Sequence, residues 1–252
     1  MAGYCGSTIA LGELVAAPEH SLVVQSYKPR EMVSGTVNAD GYGAAMWLDD
    51  GKPEPAVYRT VAPIWADPNQ AWMNERLRVR AAIAAVRSAT PGIGYEVTNV
   101  QPFSSGRVAF LHNGFITRFR HGVQRSLRDA LGQAAYESIQ GSSDSEHLFA
   151  LVVDGLGQGL VPAVRSALER LGSICAEHDR TAVAALLLGD GEQLVGCRWS
   201  RGLPHASLYA GRFKDGWAFA SEPLDRGDWK PVPPGHLAVA RKGSELSTEP
   251  LG

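Results

Sequence analysis

Long apolar runs are missing from this 252-residue chain. Nowhere do roughly eighteen apolar residues follow one another, so no membrane-spanning helix is expected. The opening residues lack the basic start and apolar centre of a secretory signal. Cysteine is scarce: Cys5, Cys175 and Cys197 are too few and too scattered for a disulfide framework or a CxxC zinc site. An excess of either charge is absent as well, with 24 Lys and Arg against 26 Asp and Glu and a net charge of -2. That balance gives no electrostatic reason to expect nucleic acid or an anionic membrane as partner. Internal repeats, low-complexity stretches and linkers do not occur, so residues 1–252 are expected to form one domain. The Gly-rich loop Asn38-Ala39-Asp40-Gly41-Tyr42-Gly43 lacks the Gly-Lys-Ser/Thr end of a phosphate loop. These absences predict a soluble, cytoplasmic protein with a small-molecule ligand and with neither cofactor nor metal; the oligomeric state is left open.

What is present is a core-forming composition, 44% hydrophobic. Short apolar runs broken by turn formers read as buried strands: Leu22-Val23-Val24, Ala44 to Trp47, Ala56 to Tyr58, Ala84 to Val86 and Val108 to Leu111. Gln70 to Ile83 has the apolar stripe of one helix. Helical spacing continues through Gly122 to Ile139 and through Leu160, Val164, Leu168, Leu171 and Cys175, which places Cys175 in the core. Ser143 precedes Glu146 by three residues, a capping-box signature for a helix starting near Asp144. Strand character returns at Ala182 to Leu188, Gln193 to Arg198, Trp217 to Ser221 and Leu237 to Ala240. Residues after Ser244 carry no core signature and are expected to be loosely held. Strands, helices and strands again predict two sheets packed face to face with helices outside.

Several residues could carry chemistry. Asn113-Gly114, between two apolar runs, suits a two-residue hairpin turn; on such a turn the Asn amide and the Gly N–H could also receive an oxyanion. Arg87, with Thr90 nearby, suits bidentate capture of a carboxylate. Asp144 is a first-turn acid favoured by the helix dipole, and it could equally hold an ammonium.

Taken in order, Gly3 to Gly6, Asn38 to Gly43, Arg87 to Gly92, Asn99 to Phe103, His112 to Gly114 and Ser143 to Glu146 resemble the class II glutamine amidotransferases. These are N-terminal nucleophile hydrolases whose chains begin Met-Cys-Gly. The resemblance implies an α+β fold, a four-layer αββα sandwich. It also implies that Arg87 and Thr90 bind the α-carboxylate of a glutamyl group, Asp144 its α-ammonium, and that Asn113 with Gly114 forms the oxyanion hole. The nucleophile's place falls on Ala2. Leu22 to Tyr27, Asn38 to Gly41 and Ala220-Ser221-Glu222-Pro223-Leu224-Asp225 are similar to the stand-alone amidases of ergothioneine biosynthesis, which release glutamate from γ-glutamyl-hercynylcysteine sulfoxide. Ser88 and Gln101 depart from that pattern, where many relatives carry tryptophan and histidine. Asp144-Ser145-Glu146 also resembles γ-glutamyl peptide amidases of glutathione breakdown.

In a cysteine-bearing form, Met1 would be removed and the free amine of residue 2 would act as base for its own thiol. The favoured expectation is a γ-glutamyl amidase whose nucleophilic cysteine is replaced by Ala2, so that it binds without cutting. A naturally inactive γ-glutamyl-binding protein is the second. The third puts the nucleophile at Cys5.

Overall fold

The computed structural model describes residues 1–32, 35–88, 94 and 96–252. The chain opens with strand β1 (Ala2–Ala10) and helices α1 (Leu11–Val15) and α2 (Leu22–Tyr27), then passes through β2 (Tyr42–Leu48), β3 (Ala56–Thr60), α3 (Gln70–Arg76) and β4 (Arg78–Val86). Strands β5 (Phe103–Ser105) and β6 (Val108–Ile116) lead into α4 (Val123–Asp129), α5 (Gln133–Glu137), α6 (Asp144–Gly155) and α7 (Leu160–Glu177). The remainder is β7 (Ala182–Gly189), β8 (Gln193–Arg201), β9 (Tyr209–Phe213), β10 (Gly216–Ala220), β11 (Trp229–Pro231), β12 (His236–Arg241) and β13 (Ser247–Pro250).

The strands form two antiparallel sheets. Sheet A has seven strands in the order β11-β9-β10-β1-β4-β2-β3, and sheet B six in the order β13-β12-β8-β7-β6-β5. Three apolar clusters separate four layers. One lies between the sheets and includes Trp47, Ile83, Leu111, Leu187 and Phe219. A second joins sheet A to α1, α2 and α3 through Leu11, Leu14, Leu22 and Met73. The third joins sheet B to α6 and α7 through Leu148, Leu151, Val164, Leu168 and Leu171, each such leucine contributing about 2 kcal/mol over exposure. The architecture is the expected α+β, αββα sandwich. Strand β7, Ala-Val-Ala-Ala-Leu-Leu-Leu-Gly, is buried throughout, because both faces of sheet B are covered.

Four local expectations are corrected. Leu22-Val23-Val24 is helical rather than extended: Ser21 caps α2 by accepting from the Val24 N–H at 3.4 Å. The helix expected over Gln70 to Ile83 stops at Arg76. After Leu77 the nine residues Arg78–Val86 form β4, paired with β1 on one side and β2 on the other; sheet pairing overrides the helical preference of its alanines. The helix expected over Gly122 to Ile139 is two short ones, with the Gly132 N–H held by Asp154 Oδ1 at 3.0 Å between them. The tail is not loose. Residues 247–250 pair with β12, and the Arg165 guanidinium bonds Glu249 at 3.1 Å and the Leu251 carbonyl at 2.5 Å.

Candidate active site

Residue 2 sits in the middle of sheet A, where Ala2 pairs with Ala84 of β4 on one side and Ala220 of β10 on the other. It is fully buried. With Met1 in place, the α-amine belongs to Met1, which donates to Ser221 Oγ at 2.8 Å, while the Ser221 N–H donates to the Met1 carbonyl at 2.9 Å. Burial pulls that amine down to about 5, against the opposing field of Glu222. Glu222 is itself fixed by a 2.5 Å contact with His20 Nε2 and by the N–H groups of Arg30 and Glu31 at 2.9 and 3.1 Å. Burial pushes the Glu222 carboxyl up, but these hydrogen bonds outweigh it and the net shift is downward.

Arg87 follows β4 directly, at the end of the sheet where β1 begins. Its backbone donates to the Gly41 carbonyl and accepts from the Asp40 N–H, both at 2.9 Å. Its guanidinium donates to the carbonyls of Asp40 at 3.2 Å and Gly94 at 3.3 Å. Thr90 lies outside the described residues. The Asn38 to Gly43 loop is therefore stitched to Arg87, and Asn38 is tied to α2 by its side-chain bond to the Gln25 carbonyl at 3.0 Å.

The two sheets touch here. A Cβ on Gly43 would collide with the Gln101 carbonyl, so only glycine lets β2 come so close. Gln101 in turn binds the backbone of His112 twice, accepting from its N–H at 2.5 Å and donating to its carbonyl at 2.9 Å. In this way a side-chain amide replaces the strand partner that β6 loses where β5 ends.

Asn113 and Gly114 do not form a turn. Both lie inside β6, paired with Ala185 and Ala184 of β7. Asn-Gly tolerates a turn but does not require one, and the β7 ladder decides. Gly114 is needed here for a different reason: a Cβ would strike the Val183 carbonyl. Strand alternation fixes where its N–H points. The His112 N–H goes to Gln101 and the Ile116 N–H to Asp144 Oδ2 at 2.9 Å, both away from β7. The Gly114 N–H lies between them on the same open edge. Asn113 falls on the face of β6 shared with Ala109 and Leu111, toward sheet A, and its carboxamide has no hydrogen-bond partner among the described residues.

Asp144 is the first residue of α6. Its Oδ1 accepts from the Ser145 N–H at 2.8 Å, and Ser143 caps the helix by accepting from the Glu146 N–H at 3.2 Å. The reciprocal half of the capping box is missing. Glu146 reaches back instead to the N–H groups of Gln140 and Gly141, at 2.8 and 2.6 Å, shaping the approach to the helix. Asn99 fastens the same loop, accepting from the Ser142 N–H at 2.9 Å and donating to the Gly94 carbonyl at 3.3 Å.

No role for His112, Gln101, Ser145, His20 or Glu222 was legible in the sequence, although all but His20 lie within or beside its motifs. His112 Nε2 faces the Val183 carbonyl at 3.1 Å and Nδ1 faces Ser145 Oγ at 2.9 Å. A proton on Nε2 and an acceptor at Nδ1 satisfy both. Burial lowers the His112 pKa, with Asp144 opposing, so the ring is neutral. Cys5 is no nucleophile in this fold: it is buried, its Sγ lies 3.6 Å from the Glu192 carbonyl, and burial raises the thiol to about 11. No cluster of metal-ligating side chains occurs among the described residues.

Segments from β1, β4, β6 and α6 thus converge at one end of the sandwich, and comparison with known proteins gives that convergence a family. The model for class-II glutamine amidotransferases matches residues 15–205. The chain belongs to that family. This class-II glutamine amidotransferase is 33% identical over 247 residues to the γ-glutamyl-hercynylcysteine sulfoxide hydrolase of Mycobacterium tuberculosis, covering 97% of this chain and 94% of that one. It is 30% identical to a probable glutamine amidotransferase of Saccharomyces cerevisiae, covering 94% and 80% respectively. Among solved structures, a glutamine aminotransferase class-II domain protein from Silicibacter pomeroyi superposes with a TM-score of 0.75 at 25% identity, covering 100% of this chain and 98% of that one. The four-layer sandwich is the N-terminal nucleophile hydrolase fold. No helix among the described residues is long and apolar enough to cross a membrane.

Proposed function

We propose that residues 1–252 act as a single glutamine amidotransferase type 2 domain that binds a γ-glutamyl amide, with Ala2 standing where a cysteine would attack it. The observation that carries this reading is the open edge of β6. There the Gly114 N–H lies between two anchored positions and beside the uncommitted Asn113 carboxamide. Two donors so placed suit the oxyanion of a tetrahedral intermediate, worth about 3 kcal/mol each. Asp144 would hold the glutamyl α-ammonium, and Arg87 with Thr90 the α-carboxylate.

With cysteine at position 2 and Met1 removed, the free amine takes the thiol proton and the thiolate attacks the γ-carbonyl carbon. The amine then returns the proton to the departing nitrogen as the C–N bond breaks. Water hydrolyses the resulting thioester and releases glutamate. With alanine there is no thiol to attack, and the chain retains its ligand uncut. End-to-end similarity to a γ-glutamyl-hercynylcysteine sulfoxide hydrolase favours that compound as ligand. A second reading, a γ-glutamyl peptide ligand, rests on the Asp144-Ser145-Glu146 segment.

The test is Ala2→Cys, with the N-terminus checked by mass for loss of Met1. Glutamate release from a γ-glutamyl amide is expected, and none from the alanine form. A correctly processed variant that releases glutamate from no γ-glutamyl compound refutes the reading. Reading the genomic codon at position 2 separates a replaced cysteine from a protein that binds without cutting by nature.

A further inference from the structure

Residue 2 divides sheet A into two flanks. Arg87, Asn113 and Asp144 lie on the β4 and β6 side, which the proposed function gives to the glutamyl half of the ligand. The group on the other side of the scissile bond must then leave over β10 and β9. Register takes it to a defined place: Ala2 pairs with Ala220, and Ala220 with Tyr209. Two strand spacings put Tyr209 about 10 Å from residue 2, within reach of a leaving group some three residues long.

A cavity of about 280 Å³ opens there, lined by Glu31, Tyr209, Arg198 and His205 among others. Its polar groups are held in place. The Tyr209 hydroxyl donates to Glu31 Oε1 at 2.7 Å, and the Glu31 N–H donates to Glu222, the residue next to Ser221 at the N-terminus. Arg198 donates from Nε to the Ala206 carbonyl and from Nη1 to the Val232 carbonyl, both at 2.7 Å. Glu31 Oε2 and Arg198 Nη2 make no hydrogen bond among the described residues, and the two side chains share the cavity without forming an ion pair. Burial and the neighbouring Arg198 lower the pKa of His205, so the ring adds no positive charge at pH 7. A carboxylate and a guanidinium kept apart in one cavity match a ligand that carries both charges.

We propose that this cavity is the subsite for a zwitterionic, amino-acid-like leaving group, its ammonium against Glu31 and the Tyr209 ring and its carboxylate against Arg198. The inference rests on the γ-glutamyl reading and adds the residues that would hold the released amine.

Two probes test it by calorimetry. Nε-(γ-glutamyl)lysine carries a free ammonium and carboxylate beyond the amide, and γ-glutamyl methylamide carries neither. The unaltered chain is expected to bind the lysine compound at least about tenfold more tightly. Glu31→Gln, which keeps an acceptor for Tyr209, should erase that difference and leave methylamide binding as it was. Equal affinity for both probes, or a Glu31→Gln loss of the same size on both, overturns the subsite while the γ-glutamyl site stands. Binding of neither probe by the unaltered chain overturns the γ-glutamyl reading and the subsite together.

Discussion

Across sheet A the row through residue 2 reads Ala44, Ala84, Ala2 and Ala220, all fully buried, whereas a stretch of sheet B reads His112, Asn113 and Gly114, with Asp144 and Ser145 behind it. The first side supplies volume and backbone and no functional group of its own. The second supplies a hydrogen-bonded set in which backbone and side chains fix one another. On the proposed reading, such a site would change its chemistry by one atom on sheet A and keep its binding surface on sheet B. Ala2→Cys is the direct form of that idea and the largest effect expected.

On sheet B the side chains proposed to bind also hold the fold, so the comparison breaks if they prove separable. Asp144→Asn removes the negative charge but keeps an acceptor for the Ile116 N–H. Calorimetry should show γ-glutamyl affinity reduced about a hundredfold, in the range for losing a buried charge partner, with a stability loss of about 1–2 kcal/mol in denaturant. Unchanged affinity would remove Asp144 from the site.

Acid should act on the α6 side. His147 donates from Nδ1 to the Ser143 carbonyl at 2.7 Å and accepts at Nε2 from Arg128 Nε at 2.9 Å, an arrangement only the neutral ring can make. Burial and the neighbouring Arg128 guanidinium bring its pKa down to about 4, against the pull of Ser143 and Asp144. Between that value and the unfolded value near 6.5, the unfolded chain binds the extra proton. Stability from this residue is therefore complete above about pH 6.5 and is lost as the pH falls toward 4, by up to about 3 kcal/mol. Denaturant midpoints from pH 7 to 4.5 should show the slope, and His147→Asn should reduce it, the remainder belonging to His112 and the Met1 amine, which burial also lowers.

Away from the Met1 amine, sheet A should respond to size. Ala84→Val, beside residue 2, should cost about 1–3 kcal/mol by overpacking, seen as a lower melting temperature with the same pH profile. The smallest effect belongs to Cys5→Ala, which should leave γ-glutamyl affinity within about twofold. A larger loss of affinity would reopen a role for that thiol.

The same contrast explains what the sequence made legible. Helix α7 could be read from its repeat because eighteen residues present one apolar face, and α6 from the Ser143 cap. β4 could be read only at its Ala84–Val86 end, since Arg78–Ile83 shares an alanine-rich, helix-like stripe and becomes strand through pairing with β1 and β2. The polar tail strand Ser247–Pro250 has no apolar alternation, so its place at the edge of β12 left no trace. At the site, Arg87, Asn113, Gly114 and Asp144 were visible as motif residues, and the structure brings their segments to one end of the sandwich. Their supports were not. Gln101 lies 11 residues from His112, and Ser145 lies 33 residues from it, so neither contact leaves a local pattern.

The edge of β6 can also be seen as a ladder with a single rung missing. Gln101 supplies the rung at His112 and Asp144 the one at Ile116, and nothing from the described chain supplies the one at Gly114. A molecule that fills the gap must bring an oxygen acceptor of its own, held at the height of the strand. Ammonium groups and hydrocarbons cannot complete the ladder, and a carbonyl can. Selection for the reacting group would then begin in the sheet's own pairing rules, before any side chain is consulted.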